Sequence, residues 1–423
     1  MIMGLLIALL IALILLGVPV AFALLVPSLI YLAMDDGAGI AIAVQQLTAG
    51  ANSFPLLAIP MFILVGVLAN SSGLTDKIFS FASLALGNLR GGLGYVNVAT
   101  SFGFSWISGA AISDAAAMGK VVVPQMVKRG YSDRFSLGLT GVSSLIAPMV
   151  PPSIPAVVYA VTAGVSVSSM FVAGLVPALF ITFALLVYVF IAARTTEKAA
   201  SQMESDVVRP PLGKLGKEFL GLLPGLGAPI FILGGILGGI TTPTEAAAAG
   251  ALYMIVLGVL YRQLTWKKFW DCLYEAAVTT GSIMTIVVAA ALFGWVLGRE
   301  RVPQTLAAQM SSLTDNPFVF MTLLVVVLLL LGMILEPTSA ILILVPILAP
   351  MAGVYGIDPV HLGVVVILTL MVGLVTPPVG LVLFVLSSVT NYPVSRVVSG
   401  VIPFYLVLGA ALLLITYVPL FYG

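Results

Sequence analysis

Three almost unbroken apolar runs, residues 171–193, 318–335 and 401–422, constrain this chain more than any other feature. Each approaches or exceeds the roughly 20 residues that a helix needs to cross the hydrocarbon core of a bilayer. A chain that is 61% hydrophobic and 8% charged cannot hold such runs in water, since soluble domains carry about 25% charged residues. In lipid every backbone N–H and C=O must be paired within the protein, which leaves helices or a closed barrel. The alternating segments of about ten residues that build a barrel are absent from the sequence, which therefore predicts an all-α polytopic membrane protein, set in a lipid bilayer. Residues 1–16 lack a basic start and a small-residue cleavage site, and read as a retained helix rather than a signal peptide.

The net charge of +1 gives no reason to expect a nucleic acid or an acidic surface as partner. One cysteine, Cys272, allows neither an internal disulfide nor a multi-cysteine metal site. One histidine, His361, excludes a histidine-based metal cluster, and its place near an external loop makes it bystander surface.

The two halves of the chain repeat. A shift of 226 residues superimposes Ser113 on Ser339, Pro124 on Pro350, Gly130 on Gly356 and the pair Pro151-Pro152 on Pro377-Pro378. Charge then distinguishes the copies. Residues 120–134 hold Lys120, Lys128, Arg129 and Arg134, whereas 346–360 hold only Asp358. The positive-inside rule puts the first segment in the cytoplasm and the second outside, so the repeats are expected to have inverted topology, as in secondary transporters. The loop at Asp35-Asp36 is then external, as are Arg299 and Arg301 against the rule, and both termini are periplasmic. The division predicted is a first repeat, 1–193, with a hairpin at 92–125 and a broken helix at 135–165. A cytoplasmic linker with an amphipathic helix follows at 194–223. The second repeat, 224–423, has a hairpin at 317–350 and a broken helix at 359–390.

The breaks carry the chemistry. "SFGFSWISGAAISDAAAMGKVVVPQ" (101–125) is too polar at its middle to span, and reads as a re-entrant hairpin with its tip between Ser108-Gly109 and Ser113-Asp114. "LIAPMVPPSIPAVVY" (145–159) follows, where Pro148, Pro151, Pro152 and Pro155 remove backbone donors and free carbonyls. The second half repeats the pair as a tip at Glu336-Pro337-Thr338-Ser339 and the break "GLVTPPVGLVLF" (373–384). Freed carbonyls with serine and threonine hydroxyls form a hard oxygen cage suited to alkali cations, and half-helix N-termini can face an anion. The plainer alternative is prolines that kink ordinary spans and serines bonded along their own helix.

Single residues divide between two roles. An intramembrane carboxylate is costly and marks a functional site by default, which singles out Glu336 and Asp114. Glu336 is expected to orient Thr338 and Ser339 around a cation, or else simply to hold the tip together. Asp114 can alternatively cap the second half-helix. Around Glu245 the spacing is that of a capping box, with Thr242 as N-cap and Pro243 at N1. Lys120 is expected to snorkel to the interface, and Trp266 and Trp270 beside Lys267-Lys268 to anchor a helix there.

"GGILGGITTPTEAAAAGALY" (234–253) makes a resemblance specific. With "LLGVPVAFAL" (15–24), "PLLAIPMFILVGVLANSSGLTDKI" (55–78), "SGAAISDAAAMGKVVVPQM" (108–126), "APMVPPS" (147–153), "EPTSAILILVPILAP" (336–350) and "TPPVGLVLFV" (376–385), it resembles the large, DctM-like permease subunit of tripartite ATP-independent periplasmic (TRAP) transporters. The resemblance implies a bacterial inner-membrane importer of organic acids, coupled to Na+ and working by an elevator movement. It also implies two partners, a small four-helix membrane subunit and a periplasmic substrate-binding protein. One sodium site would involve Ser108, Gly109, Ser113, Pro151 and Ser153, and the other Glu336, Thr338, Ser339, Thr376, Pro377 and Gly380. The substrate would lie between the tips, near Asp114, Pro152, Pro337 and Pro378.

Rival classes fit less well. An aspartyl protease needs two facing aspartates, a Ser–His dyad lacks a placed histidine, and no phosphate-binding loop supports ATP drive. A channel would need a filter motif or a ring of charges. A stand-alone sodium–dicarboxylate carrier of similar architecture remains the alternative.

Overall fold

The computed structural model describes residues 2–34, 40–52, 54–195 and 212–421, and shows twenty α-helices and no β-strand among them. The first half runs α1 (Ile2–Leu15), α2 (Val20–Met34), α3 (Ile40–Ala51), α4 (Ala58–Ser71) and α5 (Leu74–Leu86). It continues through α6 (Gly92–Ser108), α7 (Ala111–Lys128), α8 (Asp133–Ser143), α9 (Ile154–Ala163) and α10 (Val167–Thr195). The second half holds α11 (Leu212–Leu237), α12 (Pro243–Leu260), α13 (Trp266–Arg299), α14 (Val302–Leu313) and α15 (Pro317–Gly332). It ends with α16 (Pro337–Val354), α17 (Pro359–Gly373), α18 (Leu381–Thr390), α19 (Val394–Val401) and α20 (Tyr405–Tyr417).

Six helical stretches among the described residues are long and apolar enough to cross a membrane, the longest being α13 with 34 residues. By contrast α9 and α18 have ten residues each, about 15 Å of helix or half the hydrocarbon core. They follow a break at 144–153, which opens with a short 3-10 turn at Ser144–Ile146, and an irregular segment at 374–380. The Pro151-Pro152 and Pro377-Pro378 bonds in those segments are both cis. The Asp35-Asp36 loop and residues 196–211 of the linker lie outside the described residues, and from Leu212 the chain is already inside α11.

Packing joins the halves. The helix α7 packs on α18, α8 on α19, and α9 on α16, so each pair takes one member from each half. Glycine lets these helices touch by their backbones, as small residues do at membrane helix crossings. A Cβ on Gly138 would lie 2.0 Å from the Gly400 carbonyl oxygen at the α8–α19 crossing, and within the second half one on Gly373 of α17 would lie 2.5 Å from the Gly332 carbonyl carbon of α15. At one end of the α8–α19 crossing Arg396 Nε donates to Asp133 Oδ2 at 2.6 Å. A second group forms around α4, which packs on α12 and α13, while α13 also packs on α2 and α3. The helices α13 and α16 touch where the two groups meet.

The capping box read from the sequence is present. The Thr242 hydroxyl accepts from the Glu245 amide, and Glu245 Oε2 accepts from the Thr242 amide at 2.8 Å. Trp266 and Trp270 stand exposed at the start of α13.

Candidate binding site between the two helix breaks

The first tip turns at Gly109-Ala110, with Ser113 and Asp114 already in the first turn of α7. Gly109 has φ +60°, a conformation glycine adopts without penalty, and a Cβ there would lie 2.4 Å from the Pro152 carbonyl oxygen. The tip therefore rests on the cis proline pair. Ser108 Oγ donates to the Ala110 carbonyl at 3.3 Å. In the break, Ser153 is the N-cap of α9: its hydroxyl donates to the Pro148 carbonyl and accepts from the Ala156 amide at 3.2 Å. Pro151, Pro152 and Ser153 are all buried, whereas Ser113 is exposed.

The second half makes the same meeting by a different bond. The Gly380 amide, at φ +61°, donates to the Met333 carbonyl at 2.9 Å, tying the second break to the base of the second tip. The turn ends at Glu336, and Pro337, Thr338 and Ser339 form the first turn of α16. Glu336 is the N-cap of that helix. Its Oε1 accepts from the Thr338 hydroxyl at 2.8 Å, and its Oε2 accepts from the Ser339 amide at 3.0 Å. The carboxylate does orient Thr338 and Ser339, and it does so as a helix cap, where negative charge meets the positive end of the dipole. Thr376 donates back to the Val372 carbonyl at 2.7 Å. Pro377 and Pro378 are exposed, unlike the buried first pair.

A cavity of about 440 Å³ lies between the tips. Ala110, Ala111 and Ile112 line it from the first tip, and Glu336, Pro337, Thr338 and Ser339 from the second. A third wall, unforeseen in the sequence, is the middle of α13, with Val278, Thr279, Ser282, Ile283 and Ile286. Asp114, Pro152 and Pro378, expected at the substrate, are not among the lining residues, while Pro337 is.

Asp114 is fully buried and neither carboxylate oxygen has a hydrogen-bond partner in the described structure. Beside it lies the Ser101 hydroxyl, which is 3.1 Å from Ser143 Oγ. Ser143 donates to Asn97 Oδ1 at 3.0 Å, and Asn97 Nδ2 donates to Thr140 at 2.6 Å. The Thr100 hydroxyl is also buried and unpartnered. Buried polar groups are normally paired, so an orphaned carboxylate among hydroxyls calls for a cation or a proton. His361 Nε2 lies 2.9 Å from the Ile415 carbonyl, a packing contact away from the cavity.

Two half-length helices that follow proline-rich breaks, a cavity between two hairpin tips and six stretches long and apolar enough to cross a membrane are features expected of a membrane transport protein. The sequence profile described as "Tripartite ATP-independent periplasmic transporter, DctM component" matches residues 7–421, and the chain belongs to that family of large TRAP permease proteins. It is 40% identical over 406 residues to the sialic acid TRAP transporter large permease protein SiaM of Vibrio cholerae, covering 96% of this chain and 94% of that one. It is 34% identical to the 2,3-diketo-L-gulonate TRAP transporter large permease protein YiaN of Escherichia coli, covering 95% and 94%. The C4-dicarboxylate TRAP transporter large permease protein DctM of Pseudomonas aeruginosa is 36% identical over 86% of this chain and 84% of its own. Among solved structures, the YdaH transporter of Alcanivorax borkumensis, described as having an unusual topology, superposes with a TM-score of 0.65 at 16% identity, over 96% of this chain and 98% of that one. That likeness concerns the fold.

Proposed function

We propose that this permease imports an organic acid anion by sodium-coupled secondary transport, with the acid held in the cavity between the two tips. The observation that carries the reading is the cavity itself, which lies between the two hairpin tips and is lined by no Lys, Arg or His. An anion there needs its charge offset by something other than a basic side chain. The N-terminal amides of α7 have no side-chain cap and can face a carboxylate. Cations entering with the substrate supply the rest.

Sodium is a co-substrate in this reading. At the first tip Ser108, Gly109 and Ser113 stand with Pro151 and Ser153 as candidate oxygen donors, many through their carbonyls. At the second tip Glu336, Thr338, Ser339, Thr376, Pro377 and Gly380 are the candidates. The orphaned Asp114 carboxylate supports a cation-loaded first hairpin, and we assign it to the ion rather than to the acid.

The shared spacing and the charge asymmetry support inverted repeats, with both termini in the periplasm and the protein in the bacterial inner membrane. The helix pairs α7–α18, α8–α19 and α9–α16 favour a mobile unit built from both hairpins and both broken helices. That unit would slide as an elevator past a frame that includes α4, α12 and α13. Family membership implies a small membrane subunit and a periplasmic binding protein that delivers the acid.

The test is uptake into proteoliposomes holding this chain and its small subunit under an inward sodium gradient, with and without the binding protein. Uptake that needs both sodium and the binding protein is expected. Uptake that ignores the sodium gradient would overturn the reading, and uptake that ignores only the binding protein would favour the stand-alone carrier.

A further inference from the structure

We infer that the two breaks are unequal as ion sites: the first holds its cation sealed in protein, and the second opens to water, where a cation enters and leaves. The inference rests on the sodium-coupled reading and deepens it.

Both breaks present bare backbone oxygens. The carbonyls of Met149, Val150, Pro151 and Pro152 accept no hydrogen bond among the described residues, and neither do those of Thr376, Pro377, Pro378 and Val379. What differs is their cover. Residues 144–153 are buried without exception. On one side lies α10, where a Cβ on Gly174 would be 2.6 Å from the Met149 carbonyl oxygen. On another lies the first tip, with Gly109 against the Pro152 carbonyl. A shift of 226 residues lays Pro177 of α10 on Pro403, and there the second half has an interrupted helix, α19 followed by α20. Its bond to the second break runs from the Tyr405 hydroxyl to the Val375 carbonyl, at 2.9 Å. Beyond that bond Thr376 and Val379 are half-buried, and Pro377 and Pro378 are exposed.

Exposure has a definite meaning at this depth. With 15 residues in α17 and ten in α18, the second break stands roughly 22 Å of helix from one end and 15 Å from the other. Irregular backbone so far inside a bilayer is stable only against protein or a water-filled cavity. No described residue covers the two prolines, so water does. Water then competes with a cation for the same carbonyls, and the ion exchanges readily. At the first break the bare carbonyls have no such alternative, and a buried polar group without a partner is costly. The cation there is held, and it leaves after the other.

The test uses the permease with its small subunit, in a Cys272→Ala background, which removes the single native thiol. Val379→Cys places a thiol beside the second prolines and Val150→Cys one in the first break. The probe, trimethylammonioethyl methanethiosulfonate, is charged and attacks thiolates, which form where water reaches. Val379→Cys should be modified in choline buffer and protected by sodium. Val150→Cys should lose all labelling over the same time in both buffers. Hydrogen exchange checks the same contrast in the wild type, free of any effect of substitution on folding. The Val379 amide donates no hydrogen bond among the described residues, so segment 374–380 should exchange fast in choline and slowly in sodium. Segment 144–153 should stay protected in both. A second break that neither reacts nor exchanges would be covered by the small subunit or by lipid, and would overturn the inference. Equal reactivity at the two breaks would overturn it as well, as would labelling and exchange at the second break that sodium leaves unchanged. Sodium-driven uptake by the wild type, measured separately, decides the transport reading whichever way these results fall.

Discussion

At the scale of the residue, two positions show how position decides role. Gly109 needs a left-handed backbone and also the space of its missing side chain, because Pro152 O would lie 2.4 Å from a Cβ. Gly164, at φ +70°, needs only the conformation, since nothing lies within 4 Å. Gly164→Ala should cost about 1 kcal/mol, the left-handed penalty for an L-residue. Gly109→Ala should cost more than that and reduce uptake. Thermal unfolding in detergent measures both, and equal losses would show that the tip does not rest on the prolines. Glu336→Gln keeps one acceptor and loses the charge at the α16 N-terminus, an effect of about 1 kcal/mol. It should also raise the sodium concentration for half-maximal uptake, and an unchanged sodium curve would reduce Glu336 to a cap. Legibility at this scale was uneven. The spacing of Thr242, Pro243 and Glu245 gave the capping box outright, because that motif is local. Thr279 and Ser282 gave no signal, since a hydroxyl on an apolar helix reads as bonded to its own backbone, as Ser282 in fact is. Nothing in the sequence says which face of α13 meets the tips.

At the scale of the element, proline and glycine announced the breaks, but they did not place the helix ends. The tips turn at Gly109-Ala110 and just before Pro337, while Ser113-Asp114 and Thr338-Ser339 are already helical. Proline at N1 costs a helix nothing, so Pro337 begins α16 rather than interrupting it. Pro124, Pro346 and Pro350 lie within helices that continue past them. The clamp between α8 and α19 gives a pH prediction. Burial by itself would raise the Asp133 carboxyl, but the hydrogen bonds from Arg396 and the Arg134 amide, with both guanidinium charges, hold it below its usual value. A carboxylate depressed in the folded state stabilises the protein above its unfolded pKa of about 3.9, and that contribution fades as pH falls through the folded value. Asp133→Asn should therefore lower stability at pH 7 by no more than about 1 kcal/mol, since Arg396 is part-exposed. The difference from wild type should shrink as pH falls below the unfolded carboxyl's pKa of about 3.9. A difference that grew in acid would contradict the assignment.

At the scale of the whole molecule, the sequence showed two copies and could not show that they interlock. The pairs α7–α18 and α9–α16 join segments more than 150 residues apart, and such contacts leave no trace in local spacing. Nor could it show that a long helix outside either hairpin closes the cavity. The central claim, that the transported acid occupies the space between both tips and α13, has a direct measurement, because the chain has a single cysteine, Cys272, and it is buried. In a Cys272→Ala background, single cysteines at Ile112, Val278 and Ile283 report on three parts of the lining, and one at Val256, exposed on α12, serves as control. The rate of labelling by a membrane-permeant maleimide would be followed with sodium alone and with sodium plus the acid that drives uptake best. The account predicts that the acid slows labelling at all three lining positions and leaves the control unchanged. Unaltered rates at Ile112 and Ile283 in the presence of a transported acid would contradict it.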